Sequence, residues 1–291
     1  MDRGRYTCLV GDARVTAMRA RELGRKSVVV GDRVAVLGDT TGGPDALVRI
    51  VRINPRSSVL RRTADDNDPI ERVLVANAEL MVIVTALADP PPRTGMIDRC
   101  LVASYDAGLE PLLCLTKSDL GDAAGLLATY APLGVAAAVT RRDDDGRSAA
   151  QLRDRLTGRI SVLVGHSGVG KSTLVNALVP DAGRAVGGVN DVTGRGRHTS
   201  SSAVALALPS GGWVIDTPGV RSFGLAHVSP TTIVASFPDL AAAARDCPPG
   251  CEHEDGAALC SIAAAVAAGT VEPERLLSLR RLLSARATSD A

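Results

Sequence analysis

Three short segments carry residue types suited to binding a nucleotide polyphosphate. Gly165-His166-Ser167-Gly168-Val169-Gly170-Lys171-Ser172 fits the pattern Gly-x-x-x-x-Gly-Lys-Ser. In such a loop the backbone N–H groups wrap phosphate oxygens. An apolar run precedes it and a helical run follows, which is the context the motif requires. The helix start adds a dipole that favours the anion. Lys171 is placed to bridge β- and γ-phosphates and is a catalytic candidate; Ser172 is placed to ligate Mg²⁺, with Thr173 beside it in the nucleotide site. About 45 residues after Lys171, a second apolar run ends at Asp216-Thr217-Pro218-Gly219. Asp216 there can hold Mg²⁺ through water, and the Gly219 N–H can meet the γ-phosphate. Thr116-Lys117-Ser118-Asp119 ends a third apolar run. The Asp119 carboxylate can accept both N1–H and N2–H of guanine. Adenine lacks that donor pair and would leave the carboxylate unsatisfied. The Lys117 stem can cover the base. Thr116 stands where Asn is usual, and its shorter hydroxyl predicts weaker contact with the base and the phosphate loop. Ala138-Val139-Thr140 lies where a backbone contact to guanine O6 would come.

The order of these segments is informative. An ordinary GTPase runs phosphate loop, Asp-x-x-Gly, then Asn-Lys-x-Asp. Here the base-reading segment comes first, as in a circularly permuted G domain. The Asp216 segment then runs directly into whatever follows it, so the nucleotide state can pass to a C-terminal module. Gly194-Arg195-Gly196-Arg197-His198-Thr199-Ser200 falls between the phosphate loop and Asp216, the place of switch I. A hydroxyl of Thr199 or Ser200 can complete the Mg²⁺ shell. Glycine-rich and polar, the segment is expected to be loose without nucleotide. Val220 stands where many GTPases carry a water-orienting Gln, so His198 is the candidate catalytic group.

Cys247, Cys251, His253 and Cys260 form Cys-x₃-Cys-x-His-x₆-Cys. Three thiolates and an imidazole suit one closed, tetrahedral, structural Zn²⁺ site with no open position for catalysis. Zinc would organise a loop-rich segment too small to fold alone. Cys8, Cys100 and Cys114 stand apart in apolar surroundings and are expected to be buried and structural.

Elements must hold these groups in place. The 291 residues suggest two or three modest domains. Residues 1–63 carry thirteen Lys/Arg against six Asp/Glu, a local +7, although the whole chain is only +1. A basic module of this kind fits phosphate contact. Arg5–Val10, Ala13–Ala17, Val28–Val30, Arg33–Leu37 and Leu47–Ile53 read as five short strands, suggesting a small OB-type barrel; an SH3-like or other small β module remains the alternative. Residues 64–72 read as a linker. Residues 73–228 alternate apolar strands with helices, which implies a mostly parallel sheet covered on both faces. Residues 229–291 hold the Cys/His cluster and two Ala/Leu-rich helices, the second opening at Glu272-Pro273. The expected fold class is therefore multidomain: an OB-type barrel, a permuted P-loop α/β GTPase domain and a helical zinc-binding domain. Met1–Tyr6 lacks an apolar signal region, and no apolar run is long enough to span a membrane, so a soluble cytoplasmic chain is expected.

The chain resembles the circularly permuted bacterial GTPases that act in late 30S subunit maturation. The resemblance rests on Val30-Gly31-Asp32-Arg33-Val34, Ala76-Asn77, Gly196-Arg197-His198-Thr199, Asp216 through Gly224 and the Cys/His cluster, and it covers nearly the whole length. It implies GTP hydrolysis stimulated by the 30S subunit, GDP as product, contact with 16S rRNA through the barrel and the zinc domain, a monomer, and a role in hydrolysis for His198. The cluster departs from the family spacing, with one residue fewer in the first gap and one more in the last. Two other readings stay open. One is a nucleic-acid-binding assembly factor with a vestigial nucleotide site, against which stand Lys171, Ser172, Asp216 and Asp119. The other is a P-loop kinase or ATPase, against which stands Asp119.

Overall fold

Alternation of buried apolar residues with exposed ones builds the N-terminal sheet. In the computed structural model, which describes residues 5–24, 28–43, 46–63, 70–142, 146–183, 203–218, 224–257 and 259–287, strands β1 (Arg5–Val10) and β2 (Ala13–Arg19) form an antiparallel hairpin. β3 (Val34–Gly38) and β4 (Leu47–Ile53) form another, and β2 and β4 join in parallel, giving the order β1-β2-β4-β3. Tyr6, Val15, Ala17, Val48 and Ile50 turn inward and pack with Val28. The expected strand Val28–Val30 does not join this sheet. Val30 makes a single parallel bridge to Val75 instead, so barrel closure is not seen in the sheets.

A second small sheet joins this module to the rest. β5 (Val59–Arg62) and β6 (Arg72–Ala76) pair antiparallel across the expected linker, with Arg72 already in the strand. The Asn77 amide locks the junction. Its Nδ2–H donates to Gly31 O (2.9 Å), and its Oδ1 accepts from Ser57 N (2.8 Å). Gly31 needs to be glycine: its φ is +92°, and a Cβ there would lie 2.0 Å from Ala76 O. Asp32 next to it accepts two bonds from the Arg56 guanidinium (2.7 and 2.9 Å).

The central sheet runs β11-β12-β10-β7-β8-β9. Its strands are β7 (Leu80–Ala86), β8 (Glu110–Thr116), β9 (Ala136–Val139), β10 (Ile160–Val164), β11 (Val204–Ala207) and β12 (Trp213–Asp216). All pairs are parallel except the edge pair β11–β12. Every residue of β7 is buried, because both faces of a parallel sheet are covered. Met81 and Ile83 face α1 (Thr94–Asp106), whereas Leu80, Val82 and Val84 face α3 (Arg147–Leu156) and α4 (Lys171–Leu178). α2 (Ala124–Tyr130) precedes β9 at the sheet edge.

Four helices follow: α5 (Pro230–Ala235), α6 (Pro238–Ala244), α7 (Ser261–Ala267) and α8 (Pro273–Ala287). Ser229 caps α5 by accepting from Thr232 N (3.1 Å). The helices share a core with the central sheet: Phe237, Leu240, Ile262, Leu279 and Leu282 lie in one cluster with Ile97 and Leu101. Arginines stitch the seam. Arg275 donates to Pro132 O (2.6 Å) and pairs with Asp239. Arg281 pairs with Asp98 (3.0 Å) and lies over the Tyr130 ring. Arg99 donates to Ala285 O (2.5 Å). Among the described residues no helix is long and apolar enough to cross a membrane. Cys100 and Cys114 are buried as expected, while Cys8 is half-buried; none of the six cysteines is in a disulfide.

Candidate functional site

Parallel strands deliver their following loops to one edge of a sheet, and ligands of open α/β folds sit at that edge. β8, β10 and β12 all run in the same direction. The segments that follow them, Thr116–Asp119, Gly165–Gly170 and Asp216–Pro218, therefore converge there.

The phosphate loop leaves β10 tightly. A Cβ on Gly165 would lie 2.4 Å from Val84 O on the neighbouring strand. Gly168 and Gly170 take φ of +87° and +88°, a region closed to most side chains. Val169 between them is buried and anchors the loop from below. His166 Nδ1–H donates to Ser167 O (2.6 Å). Burial and then the Arg93 charge hold the His166 pKa below that of an ordinary imidazole, while the Ser167 bond opposes them. Ser172 and Thr173 sit half-buried in the first turn of α4.

Lys171 is nearly buried, and Asp216 is fully so. The Lys171 ammonium donates to Thr217 O and stands 3.7 Å from Asp216 Oδ1. Thr217 is fixed in turn by donating to Leu163 O (2.7 Å). The cation and the carboxylate expected to share a polyphosphate and its metal ion are therefore adjacent.

The base-reading segment is tied to the phosphate loop by the residue expected to weaken that tie. The Thr116 hydroxyl donates to Val169 O at 2.6 Å. The short side chain suffices to reach the loop, and a Cβ on Gly170 would meet Thr116 Oγ1 at 3.6 Å. Lys117 adopts φ +58°, and its ammonium donates to Asp89 O. Asp89, in the loop before α1, is a partner that motif spacing gave no means of finding. Ser118 N donates to Thr140 O (3.3 Å), and Thr140 N donates to Leu115 O (2.7 Å). The Ala138–Thr140 segment thus lies against the base-reading loop, as its place in the sequence suggested. Asp119 is exposed and has its carboxylate open to solvent.

His198, Thr199, Ser200, Gly219 and Val220 lie outside the described residues.

Cys247, Cys251, His253 and Cys260 come together with all ligand atoms within 4.8 Å of one another. His253 Nδ1 lies 3.7, 3.5 and 3.7 Å from the three sulfurs. The edges of a tetrahedral Zn²⁺ site with bonds of about 2.0–2.3 Å are about 3.5–3.8 Å long, so the donor set fits that ion. Two residues of the loop take left-handed backbone, His253 (φ +60°) and Leu259 (φ +63°). Arg280 of α8 braces the loop by donating to His253 O, Glu254 O and Asp255 Oδ1 at 2.9–3.0 Å. Burial and then the Arg280 charge lower the His253 pKa, favouring the neutral imidazole that a metal requires. This brace was not visible in the sequence.

Comparison with known proteins agrees with this geometry. The sequence model of the RsgA GTPase family matches residues 53–226. The small ribosomal subunit biogenesis GTPase RsgA of Pseudomonas putida KT2440 is 40% identical over 273 residues, covering 90% of this chain and 76% of that protein. Its Pseudomonas aeruginosa PAO1 counterpart is 37% identical over 271 residues, covering 91% and 77%. Among solved structures, YjeQ from Thermotoga maritima matches with a TM-score of 0.67 at 25% identity, covering 94% of this chain and 90% of that one. YloQ, described as a circularly permuted GTPase, shares the fold with a TM-score of 0.67 at 22% identity, covering 99% and 92%. With the family model spanning more than half of its length and relatives aligned along most of it, this chain belongs to the RsgA GTPase family.

Proposed function

We propose that the chain hydrolyses GTP during biogenesis of the small ribosomal subunit, as the names of its relatives state for those proteins. The observation that carries this reading is the convergence of three groups at one sheet edge. They are Lys171 against Asp216, the glycine loop, and Asp119 held in register by the Thr116–Val169 bond. In this reading the N–H groups from Gly165 through Ser172 take the phosphates, with Thr173 behind them. Lys171 bridges the β- and γ-oxygens. Ser172, Asp216 and a hydroxyl of Thr199 or Ser200 hold Mg²⁺, which supplies charge neutralisation on the phosphates. Gly219 meets the γ-phosphate, Asp119 selects guanine, and Lys117 and Ser118 shape the base site. The Cys/His cluster holds one structural Zn²⁺. The N-terminal sheet works as an OB-type barrel of residues 1–63 that, with residues 229–291, contacts 16S rRNA. The protein acts as a cytoplasmic monomer. Turnover of GTP against ATP, with and without purified 30S subunits, tests the reading. ATP turnover equal to GTP turnover, or no response to 30S, would overturn it.

Asp119→Asn is expected to weaken GTP binding and to admit xanthosine nucleotides, because the amide offers a donor where the carboxylate accepts. Each base contact of this kind discriminates by orders of magnitude when buried polar groups are left unpaired. Affinities for both nucleotides check it; unchanged GTP affinity would remove Asp119 from the base site.

Val220 cannot orient water, so His198 is assigned that task. His198→Ala is expected to leave GTP affinity nearly intact while removing most of the 30S-stimulated rate, since a hydrolytic role acts in the transition state. Single-turnover hydrolysis at saturating 30S is the measurement. A variant stimulated like the wild type would place the catalytic group elsewhere.

A further inference from the structure

The four-stranded N-terminal sheet packs one face on its own small core and leaves the other in the open. Arg49 of β4 stands on the open face. Met18 of β2 pairs with it from one side, and Leu37 of β3 pairs with it from the other. Leu47 and Val51 flank it two residues away along its own strand. By strand geometry alone, these four Cα atoms lie about 5–7 Å from that of Arg49. All four side chains are 36–66% exposed. One cation is thus ringed by four apolar side chains that the rest of the chain does not cover.

Single exposed apolar residues are ordinary. A contiguous set around one charge is not, and it marks an interaction surface. None of the four strands contains an Asp or Glu, so the sheet offers Arg49 no carboxylate. The ion pairs among the described residues all lie elsewhere. The one aromatic residue of the sheet, Tyr6, is turned into the core, so bases find no ring to stack on here. A sugar–phosphate backbone would satisfy the cation but would leave the apolar ring against polar groups and water. A protein surface can satisfy both. Interface centres are often built this way, with an Arg surrounded by contacts that exclude water. Once water is excluded, a forked guanidinium–carboxylate bond gains strength.

We propose that this face docks a protein whose contact segment brings one Asp or Glu set among apolar side chains, the carboxylate meeting Arg49 and the apolar groups covering Met18, Leu37, Leu47 and Val51. The partner is a protein of the small ribosomal subunit, so the proposal rests on the function proposed above and names the component of the subunit that this face meets. Contact with rRNA is left to the other basic residues of the module. Charge complementarity carries the choice of an acidic partner segment, and the apolar ring carries the choice of protein over nucleic acid.

The test titrates the full chain, with Mg²⁺ and a non-hydrolysable GTP analogue, against purified 30S subunits. Leu37→Ser and Met18→Ser are each expected to weaken binding about fivefold, and Arg49→Glu about thirtyfold or more, the scale of an interface centre. Arg14→Glu makes the same charge change toward the other end of β2 and is expected to cost far less. All four positions are exposed, so thermal melts should match that of the unaltered chain. Equal weakening by the two Glu changes with none from the Ser changes would mean phosphate contact and would overturn the proposal. Unchanged binding by Leu37→Ser and Arg49→Glu would do the same. A photoreactive phenylalanine analogue in place of Leu37 is expected to cross-link to a protein of the subunit, next to an Asp or Glu whose replacement by Arg restores binding of Arg49→Glu. Cross-links to rRNA alone, or to a second copy of this chain, would overturn the proposal and leave the GTPase reading standing. An unaltered chain that does not bind 30S subunits would overturn the small-subunit reading and this proposal with it.

Discussion

Lys171→Ala is expected to lower GTP turnover by about a hundredfold or more, the scale on which single preorganised charge contacts act in catalysis. Phosphoryl transfer offers little covalent chemistry for a protein to perform, so positioning and charge carry nearly all of it. The structure adds a second consequence. Lys171 is the cation beside the fully buried Asp216, at 3.7 Å, and it also holds the Thr217 carbonyl. Its removal leaves a buried carboxylate without that partner, which is the costly half of a buried pair. The nucleotide-free protein should therefore lose stability as well, and Lys171→Met should lose it similarly. Lys171→Arg is not expected to restore turnover, because a planar fork does not fit a position shaped for a compact ammonium. Single-turnover rates, nucleotide affinities and thermal melts of the three variants check this. If Lys171→Ala melts like the wild type, the Asp216 contact contributes nothing. If it also turns over GTP normally, the phosphate loop is misassigned. The double variant Lys171→Ala/Asp216→Ala should destabilise by less than the sum of the two single changes, since the two groups are in contact.

The central sheet was legible because apolar runs bounded by motif residues have few alternatives. Ile160–Val164 and Lys171–Leu178 appear in the structure with the bounds the pattern suggested. The N-terminal module was less legible. Val28–Val30 has the composition of a strand, but Gly31 turns the chain toward Ala76 and Asn77, so the segment makes one bridge to β6 and never enters the four-stranded sheet. Strand composition reports a fit to a pleated surface and does not say which surface. β5 and β6 were hidden because Arg61, Arg62, Glu71 and Arg72 give the hairpin a charged, linker-like composition. α5 and α6 were missed: each opens on a proline and runs only six or seven residues. At the site, the residues proposed to take phosphate or base follow from motif spacing alone. The groups that hold them do not. Asp89 behind Lys117 and Arg280 across the metal loop are both contacts between elements distant in sequence.

Removing the metal is expected to dissolve a limited part of the C-terminal module. Structural zinc contributes about 10 kcal/mol or more of apparent binding energy in small domains, and there it is folding energy. Here the four donors span Cys247–Cys260, a loop that contributes little to the core beyond the ligands themselves. The neighbouring helices are placed differently. Phe237, Leu240, Leu276, Leu279 and Leu282 lie in the same buried cluster as α1, and Arg275 and Arg281 tie α8 to Pro132 and Asp98. None of these contacts needs the metal. Arg280 does bridge α8 to the loop, but it grips two backbone carbonyls and one exposed carboxylate, which is too little to order the loop once four ligands lose their common partner. Chelation should therefore raise hydrogen exchange sharply from Cys247 through α7, leave α1 and α8 protected, and leave nucleotide binding intact. Cys251→Ser should reproduce the pattern in the presence of zinc. Metal analysis of protein purified without chelator should find one zinc per chain. A chain without zinc, or exchange in this loop that does not respond to chelation, would sink the assignment. Loss of protection in α8 as well would show that the metal, and not the shared core, holds the C-terminal helices against the nucleotide-binding sheet.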